Sequence, residues 1–241
     1  MRIGAATDIG QKRKLNEDSF FIYDQDSILC GFVADGMGGH QAGEVASSMA
    51  SELIKAYVSA HFSPEMDYVE AGEMLRRSFI ESNSEIYHYA ISHSKLMGMG
   101  CTATLAMLYQ DKLIAAHVGD SRIYKITKDS IEQITRDHSY VQELLMRGEI
   151  TQEFAKWHPQ KNYITRAMGT EETIKVDIAI GSYKGEVILL TSDGLTNMVE
   201  DEEMQKVILK HQDLQQAVDA LVALANENGG SDNITAVAFE R

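Results

Sequence analysis

Four aspartates stand in short turns that contain Gly or Ser, each beside an apolar run typical of a buried strand. Asp35, Asp120 and Asp193 each follow such a run, whereas Asp232 precedes the last run of the chain. A single Asp in this setting is most simply a turn or helix cap. Four of them at strand ends are expected to converge, because a sheet brings such ends together. Converged carboxylates repel one another unless a cation lies among them, so the pattern predicts a metal site.

The available ligands indicate which metal and which reaction this site would serve. They are oxygen atoms, with no thiolate set and no His pair at metal-binding spacing, and this favours Mg²⁺ or Mn²⁺ over Zn²⁺. Two such ions about 4 Å apart could hold a water, lower its pKa towards neutral and direct it at a phosphorus atom. The reaction also needs a cation that grips phosphate oxygens and an acid that protonates the departing alkoxide. Arg13 and His40 fit these two roles.

The segment that carries Asp35 and His40 joins a predicted strand to a predicted helix. Residues 28–34 form an apolar run, and residues 44–62 carry apolar side chains at helical spacing. Three glycines in the connecting loop permit a tight turn and a close approach of the backbone to a ligand. Loops of this kind present functional groups on a rigid frame.

The rest of the chain predicts strands grouped towards both ends, with helices between them. Strands are predicted at residues 2–8, 19–23, 102–109, 112–118, 122–127, 131–135, 174–180, 186–191 and 233–239, and further helices at residues 67–93, 139–147 and, as two segments, 200–228. Residues 149–163 are the least regular part and are expected to form a surface lobe. This order predicts an α+β fold in which antiparallel sheets pack under helices.

Seven short segments carry these charged residues and their neighbours. In chain order they are RKLNED (13–18), DGMGGH (35–40), GDSR (119–122), DHS (137–139), TRAMG (165–169), SDGL (192–195) and GSDN (230–233). The set resembles the motifs of the metal-dependent protein phosphatase family, the type 2C serine/threonine phosphatases, and most of all its compact bacterial branch. The resemblance extends over residues 3–239. It implies two antiparallel β-sheets packed as a sandwich and flanked by helices on both sides.

The resemblance also implies a metal-binding role for five of the matching residues. Asp35 would bridge two ions, and the carbonyl of Gly36 would bind one of them. Asp193 and Asp232 would hold the other ion, and Asp120 together with Asp193 fits a third site. The implied cofactor is therefore two to three ions of Mn²⁺ or Mg²⁺.

The remaining roles concern the substrate and the attacking water. By the same resemblance, Glu17 would act on the ions through bound water and Asp18 would orient the attacking water. Arg13 would grip the phosphate, and His40 would be the general acid. The irregular segment at about 148–163 resembles the family's flap, a mobile lobe beside the active site associated with substrate choice.

The predicted function is hydrolysis of phosphoserine and phosphothreonine in proteins by direct attack of a metal-bridged water. The resemblance implies phosphorylated proteins and a membrane-anchored Ser/Thr kinase as partners, in a signalling pathway.

One alternative is a catalytically inactive pseudophosphatase that senses phosphoproteins, which the complete set of predicted metal ligands disfavours. Another is a phosphatase of a partner-switching circuit, whose relatives usually lack both the flap and the Arg. A nucleophilic serine is disfavoured because Ser121 and Ser192 lie outside a Gly-x-Ser-x-Gly elbow.

Composition narrows the class of protein further. The 241 residues are 44% hydrophobic and 24% charged, without low-complexity stretches, so a single domain of residues 1–241 is expected. No run approaches the ~18 apolar residues of a membrane span, and residues 1–10 lack signal-peptide features, so we predict a cytoplasmic monomer that does not insert into membranes. The net charge of −14 argues against nucleic acid as a partner. Arg122 and Arg166 are expected to brace loops through salt bridges.

Overall fold

The computed structural model describes residues 1–25, 27–38 and 42–241, and these residues form eleven strands and seven α-helices. None of the described helices is both long enough and apolar enough to cross a bilayer. The strands are β1 (Arg2–Asp8), β2 (Asp18–Gln25), β3 (Ile28–Met37), β4 (Gly100–Cys101), β5 (Ala103–Tyr109), β6 (Lys112–Val118), β7 (Arg122–Ile126), β8 (Ile131–Gln133), β9 (Asp177–Ser182), β10 (Val187–Thr191) and β11 (Ile234–Glu240). The helices are α1 (Ala42–His61), α2 (Tyr68–Ser92), α3 (Tyr140–Met146), α4 (Gln152–Trp157), α5 (Asp193–Thr196), α6 (Asp201–Lys210) and α7 (Leu214–Glu227), with a 3₁₀ turn at Ser94–Leu96.

The strands form two antiparallel sheets. The first has the order β1-β11-β10-β7-β8, and the second has the order β2-β3-β5-β6-β9, with the short β4 paired to the end of β3. The first and last strands of the chain are neighbours, since Arg2 lies opposite Glu240. Both ends of the chain therefore belong to the same sheet.

The two sheets pack face to face, and helices cover their outer faces. Side chains such as Leu29 and Val33 of β3 meet Ile188 and Leu190 of β10 between the sheets. Helices α1 and α2 cover the β3 sheet, and α6 and α7 cover the β11 sheet. Strand β3 is buried on both faces, which explains why it reads as one continuous apolar run. The predicted sandwich flanked by helices on both sides is confirmed.

Most predicted elements are present, with some differences at their boundaries. Helix α2 begins one residue later than predicted because Asp67 is its N-cap, in a capping box with Glu70. The strand predicted at 174–180 is β9 (Asp177–Ser182), an edge strand whose exposed residues give a weak pattern. The predicted irregular segment 149–163 contains α4, which at six residues is too short to produce a periodic signal. The single-domain assignment and the flap boundaries stay predictions.

Contact between the sheets depends on one close approach of a ring to a backbone. The ring of Phe239 in β11 lies over Gly31 in β3, where an added Cβ would stand 2.4 Å from the Cε1 atom of the ring. Phe239 is fully buried. Gly31 thus provides the space that the ring of Phe239 needs.

We predict that Phe239→Ala lowers the free energy of unfolding by about 3–5 kcal/mol, because it leaves a cavity between the sheets that rigid strands cannot close. The measurement is urea unfolding followed by circular dichroism. Ile91→Ala, at a residue of α2 that is 54% exposed, is the control and should change the free energy of unfolding by no more than about 0.5 kcal/mol. Equal effects of the two substitutions would contradict this packing.

Candidate active site

A cleft of about 430 Å³ opens at one end of the sandwich, where strands of both sheets end. Its lining contains seven of the nine residues predicted to form the site. The lining residues are Arg13, Glu17, Asp35, Gly36, Met37, Gly38, Thr102, Asp120, Asn162, Ile164, Asp193 and Asp232. We call this the acidic cleft. The structure therefore brings the four strand-end aspartates into the lining of one cleft.

The two other predicted residues are Asp18 and His40. Asp18, the first residue of β2, lies directly opposite Asp35 in the strand register. His40 lies outside the described residues, so its predicted role as general acid stays a prediction.

Asp18 joins the two sheets below the acidic cleft. Its Oδ2 atom accepts a hydrogen bond of 2.7 Å from the hydroxyl of Ser192 and one of 2.6 Å from the hydroxyl of Thr235, both of which belong to the opposite sheet region. Its other oxygen, Oδ1, is buried and has no hydrogen-bond partner among the described residues. One oxygen is therefore fixed, while the other is available for a ligand.

The end of β3 is held by a hydroxyl network. The backbone N–H of Asp35 donates to Oγ1 of Thr102 at 2.8 Å, and Thr102 Oγ1 lies 2.7 Å from Oγ of Ser121. At the next residue, a Cβ on Gly36 would lie 2.3 Å from the carbonyl oxygen of Gly43 and 2.5 Å from that of Glu17. Only glycine allows the three backbones to approach this closely, so the chain brings Asp35 and Glu17 together at this point.

Burial and mutual repulsion raise the pKa values of four carboxyl groups at this end of the sandwich, those of Asp18, Asp35, Asp120 and Asp193. Burial raises the pKa of Asp35 well above its usual range, and the charges of Asp18 and Asp193 raise it further. Burial also raises the pKa of Asp18 to about 7 and that of Asp120 to about 8, in spite of the two hydroxyl donors to Asp18. Without a cation, the acidic cleft therefore retains protons near neutral pH.

Arg13 and Glu17 add charges of both signs at the rim. Nη2 of Arg13 forms an ion pair of 2.7 Å with Oδ2 of Asp232, although the guanidinium side chain is 49% exposed. Partial burial raises the pKa of Glu17, and the charge of Arg13 opposes this shift. Arg13 is thus a cation already held at the edge of an anionic cleft.

The donor set fits a hard divalent ion. Three buried carboxylate oxygens of this region, Oε1 of Glu17, Oδ1 of Asp18 and Oδ1 of Asp193, accept no hydrogen bond from the described residues. In that part of the chain no three Asp, Glu, His or Cys side chains converge on one point as an all-protein ligand set. Mg²⁺ and similar ions bind oxygen ligands, keep several waters and use one or two carboxylates, so a donor set made of carboxylate oxygens suits them better than Zn²⁺.

Two arginines and several hydroxyl groups near the cleft hold its loops and carboxylates in place. Arg122 pairs with Asp137 at 2.7 Å and Arg166 with Asp177 at 3.0 Å, so the expectation that both arginines brace loops is confirmed. The hydroxyls that position Asp18 and Asp35 were not predicted. Their signal was weak, because a Ser or Thr beside a strand is common and its partner lies far away in the sequence.

Comparison with known proteins agrees with this architecture. A family profile described as Protein phosphatase 2C matches residues 9–237. The chain is 41% identical over 238 residues to serine/threonine phosphatase stp of Listeria innocua, covering 98% of this chain and 94% of that protein. It is 37% identical to protein phosphatase PhpP of Streptococcus pneumoniae, with coverage of 98% and 95%. The crystal structure of serine/threonine phosphatase Stp1 from Staphylococcus aureus superposes with a TM-score of 0.94 at 38% identity, covering 99% of this chain and 94% of that one.

The fold and the acidic cleft thus define a sandwich of the type found in bacterial serine/threonine phosphatases. The chain belongs to the protein phosphatase 2C family, as its sequence motifs indicated. Members of this family depend on divalent metal ions.

The raised pKa values predict a pH dependence of stability in chelator. A carboxyl group whose pKa is higher in the folded than in the unfolded protein stabilises the fold below its unfolded pKa, near 3.9, and loses this contribution as the pH rises through the folded value. Asp120, whose folded pKa is about 8, should therefore destabilise the metal-free protein increasingly from pH 6 to about pH 8, and the effect should level off by pH 9. Asp120→Asn removes this effect, so its stability relative to wild type should increase by about 1–2 kcal/mol over that range.

Urea unfolding in EDTA at several pH values measures this difference. The control is Asp129→Asn, at an exposed residue after β7, which should keep the wild-type pH profile. A difference between Asp120→Asn and wild type that does not change with pH would contradict the crowding of charges in the cleft.

Proposed function

We propose that the chain is a metal-dependent serine/threonine protein phosphatase that hydrolyses phosphoserine and phosphothreonine by direct attack of water. The observation that carries the proposal is the acidic cleft, in which carboxylates from both sheets and the guanidinium of Arg13 line one cavity of about 430 Å³. Relatives that share the fold and at least 37% of the sequence are named as phosphatases of this kind. Nothing in the cleft favours the inactive alternative.

Five residues would hold the metal ions. We assign the carboxylate of Asp35 and the carbonyl of Gly36, with Asp193 and Asp232, to two Mn²⁺ or Mg²⁺ ions, and Asp120 with Asp193 to a third. When bound, such ions neutralise charge on the phosphoryl oxygens and lower the pKa of the attacking water. Their binding would also remove the repulsion that raises the pKa values of Asp35, Asp120 and Asp193.

The other residues act on substrate and water. Arg13 is proposed to bind two phosphate oxygens through its planar guanidinium, exchanging its contact with Asp232 for the substrate. Asp18, held through Oδ2 by two hydroxyls, has Oδ1 available to accept a hydrogen bond from the attacking water and so to orient it. Glu17 would contact the ions through water. His40 is proposed to protonate the departing serine or threonine oxygen.

The biological setting is also a proposal. The relatives' names support phosphorylated proteins as substrates, and the family resemblance supports a membrane-anchored Ser/Thr kinase as the opposing enzyme, in the cytoplasm, with the phosphatase acting as a monomer. Asn162, which lines the cleft, supports a flap at about 148–163 within one domain of residues 1–241. The kinase assignment predicts that deletion of the phosphatase gene raises phosphorylation of that kinase in cells, and unchanged phosphorylation would count against it.

The activity itself is tested by phosphate release from a phosphothreonine peptide. We expect turnover with Mn²⁺ or Mg²⁺, none in EDTA, and a loss of at least ~100-fold in kcat for Asp193→Ala, because a ligand of the reaction centre is removed. Asp129→Ala, distant from the cleft, serves as the matched loss of one carboxylate and should retain wild-type turnover. Absence of turnover with either metal, together with retained phosphopeptide binding, would instead favour the pseudophosphatase.

The role of Arg13 predicts a specific change in phosphate affinity. Arg13→Ala should raise KM for the phosphopeptide and Ki for inorganic phosphate by ~10- to 100-fold, the range expected for loss of a charge-assisted hydrogen bond. The KM and Ki values of Arg13→Lys should lie between those of wild type and Arg13→Ala. The lysine keeps the positive charge, but an ammonium cannot bind two oxygens in the same planar geometry. Lys12→Ala removes a neighbouring exposed charge of the same sign and should leave Ki nearly unchanged. Similar Ki values for Arg13→Ala and Lys12→Ala would contradict a direct contact between Arg13 and phosphate, and would indicate that only its positive charge matters.

A further inference from the structure

Arg13 and Glu17 lie on an irregular segment that needs an anchor to hold them at the cleft. This segment, the Arg13 loop (residues 9–17), connects β1 to β2 and has no regular secondary structure. Residues 11–15 are exposed. A loop of this kind is mobile unless its backbone is tied to the folded body. The positions of both charged side chains therefore depend on what holds the base of the loop.

The side chain of Asn233 provides this anchor. It lies just before β11, is 4% exposed and stands next to Asp232 in the sequence. Its Nδ2 atom donates to the carbonyl oxygen of Ile9 at 3.0 Å and to that of Leu15 at 2.9 Å. Its Oδ1 atom accepts the backbone N–H of Glu17 at 2.9 Å. One side-chain amide therefore binds the backbone at both ends of the Arg13 loop, at Ile9 on one side and at Leu15 and Glu17 on the other. We call these three hydrogen bonds the Asn233 clamp.

The chemistry of these three partners requires an amide. Two carbonyl oxygens need two N–H donors, and one backbone N–H needs an acceptor, which a single Asn side chain supplies. Each of the other contacts of the loop ties it at a single point, including the bond from Asn16 Nδ2 to Oγ1 of Thr7 at 2.9 Å and the bond from the Gly36 N–H to the Glu17 carbonyl at 3.1 Å. The side-chain contact of Gln11 with Asn226 at 3.1 Å is exposed to water, which competes for both groups. The backbone bond from Gln11 N–H to the Gly230 carbonyl, 2.7 Å, fixes only one side of the loop.

Asn233 also connects the loop to the predicted metal ligand beside it. The backbone N–H of Asn233 donates to Oδ1 of Asp232 at 2.9 Å, and the other oxygen of Asp232 pairs with Arg13 at 2.7 Å. The tip of the loop and its base are thus held by two consecutive residues. A shift of the loop relative to Asn233 would move Arg13 relative to the carboxylates of the cleft.

We propose that Asn233 is a positioning residue of the active site, which closes the Arg13 loop and thereby sets the affinity of the cleft for phosphate. The inference rests on the proposed function, since it assigns the phosphate contact to Arg13. Asn233 touches neither substrate nor metal in this account. It acts through the backbone of the segment that carries Arg13 and Glu17.

Asn83 of α2 is a matched control for the Asn233 clamp. It is also a buried asparagine, 1% exposed. Its Nδ2 atom donates to the carbonyls of Glu171 at 3.0 Å and Glu172 at 3.2 Å, and its Oδ1 accepts the N–H of Gly169 at 2.8 Å. The pattern of bonds is the same as that of Asn233. None of these residues lines the acidic cleft.

The test compares Asn233→Asp with Asn83→Asp, each of which keeps the acceptor and loses two N–H donors. For Asn233→Asp we expect a ~10- to 100-fold fall in kcat/KM and a raised Ki for inorganic phosphate, because displaced catalytic groups lose rate steeply. Amide hydrogen exchange over residues 9–17 should become faster. Asn83→Asp should lose stability to urea but keep kcat/KM within about threefold of wild type at temperatures where it is folded. If Asn233→Asp does not fold, Asn233→Ala removes the clamp without adding a charge.

A double-mutant cycle with Arg13→Ala separates positioning from a general loss of structure. If Asn233 acts through Arg13, Asn233→Asp should change Ki for phosphate by no more than about twofold in the Arg13→Ala background. Equal effects in both backgrounds, or wild-type kcat/KM and exchange in Asn233→Asp, would overturn the inference. Wild-type protein without phosphatase activity would instead overturn the proposed function, and the exchange measurement would still test the clamp.

Discussion

Repulsion between carboxylates gathered at one end of a β-sandwich is the constraint on which the rest of this structure depends. Aspartates from both sheets line one cleft, and burial and mutual charge raise the pKa values of Asp35, Asp120 and Asp193 above the usual range. Bringing buried carboxylates together costs free energy, and this cost must be offset by a favourable interaction. We propose that this favourable interaction is the binding of divalent cations at this site, with Arg13, now paired with Asp232, as the contact for phosphate.

The packing of the sandwich supplies the free energy that holds these charges in place. Strand β3 is buried between helix α1 and the opposite sheet, so its end, and Asp35 with it, has little freedom to move away from its neighbours. Hydroxyl groups then fix the orientation of an individual carboxylate by donating hydrogen bonds to it. Ser192 and Thr235 reach across from one sheet to hold Asp18 of the other, which makes the cleft a junction between the sheets rather than a feature of either one. The predicted catalytic geometry and the stability of the fold are therefore linked at this end of the molecule.

The parts that could be predicted from sequence are those with a strong local signal. The doubly buried strand β3 reads as a continuous apolar run, and the strand-end aspartates line one cleft, as expected because sheet strands bring their ends together. The clamp by Asn233 could not be predicted, since its partner Glu17 is 216 positions away and no local pattern marks an amide as buried. Strand β9 was misplaced for a different reason, because an exposed edge strand lacks a clear alternation of apolar and polar residues.

The central claim, that the crowded carboxylates retain protons until a cation replaces them, is tested most directly by calorimetric titration of the metal-free protein with Mn²⁺. The titration is carried out at pH 7 in two buffers of different ionisation enthalpy, so that the difference in measured enthalpy gives the number of protons released. With the pKa of Asp18 at about 7 and that of Asp120 at about 8, we predict release of about one proton or more for each protein molecule. Equal binding enthalpies in the two buffers would show that the carboxylates are already ionised, and would contradict the account.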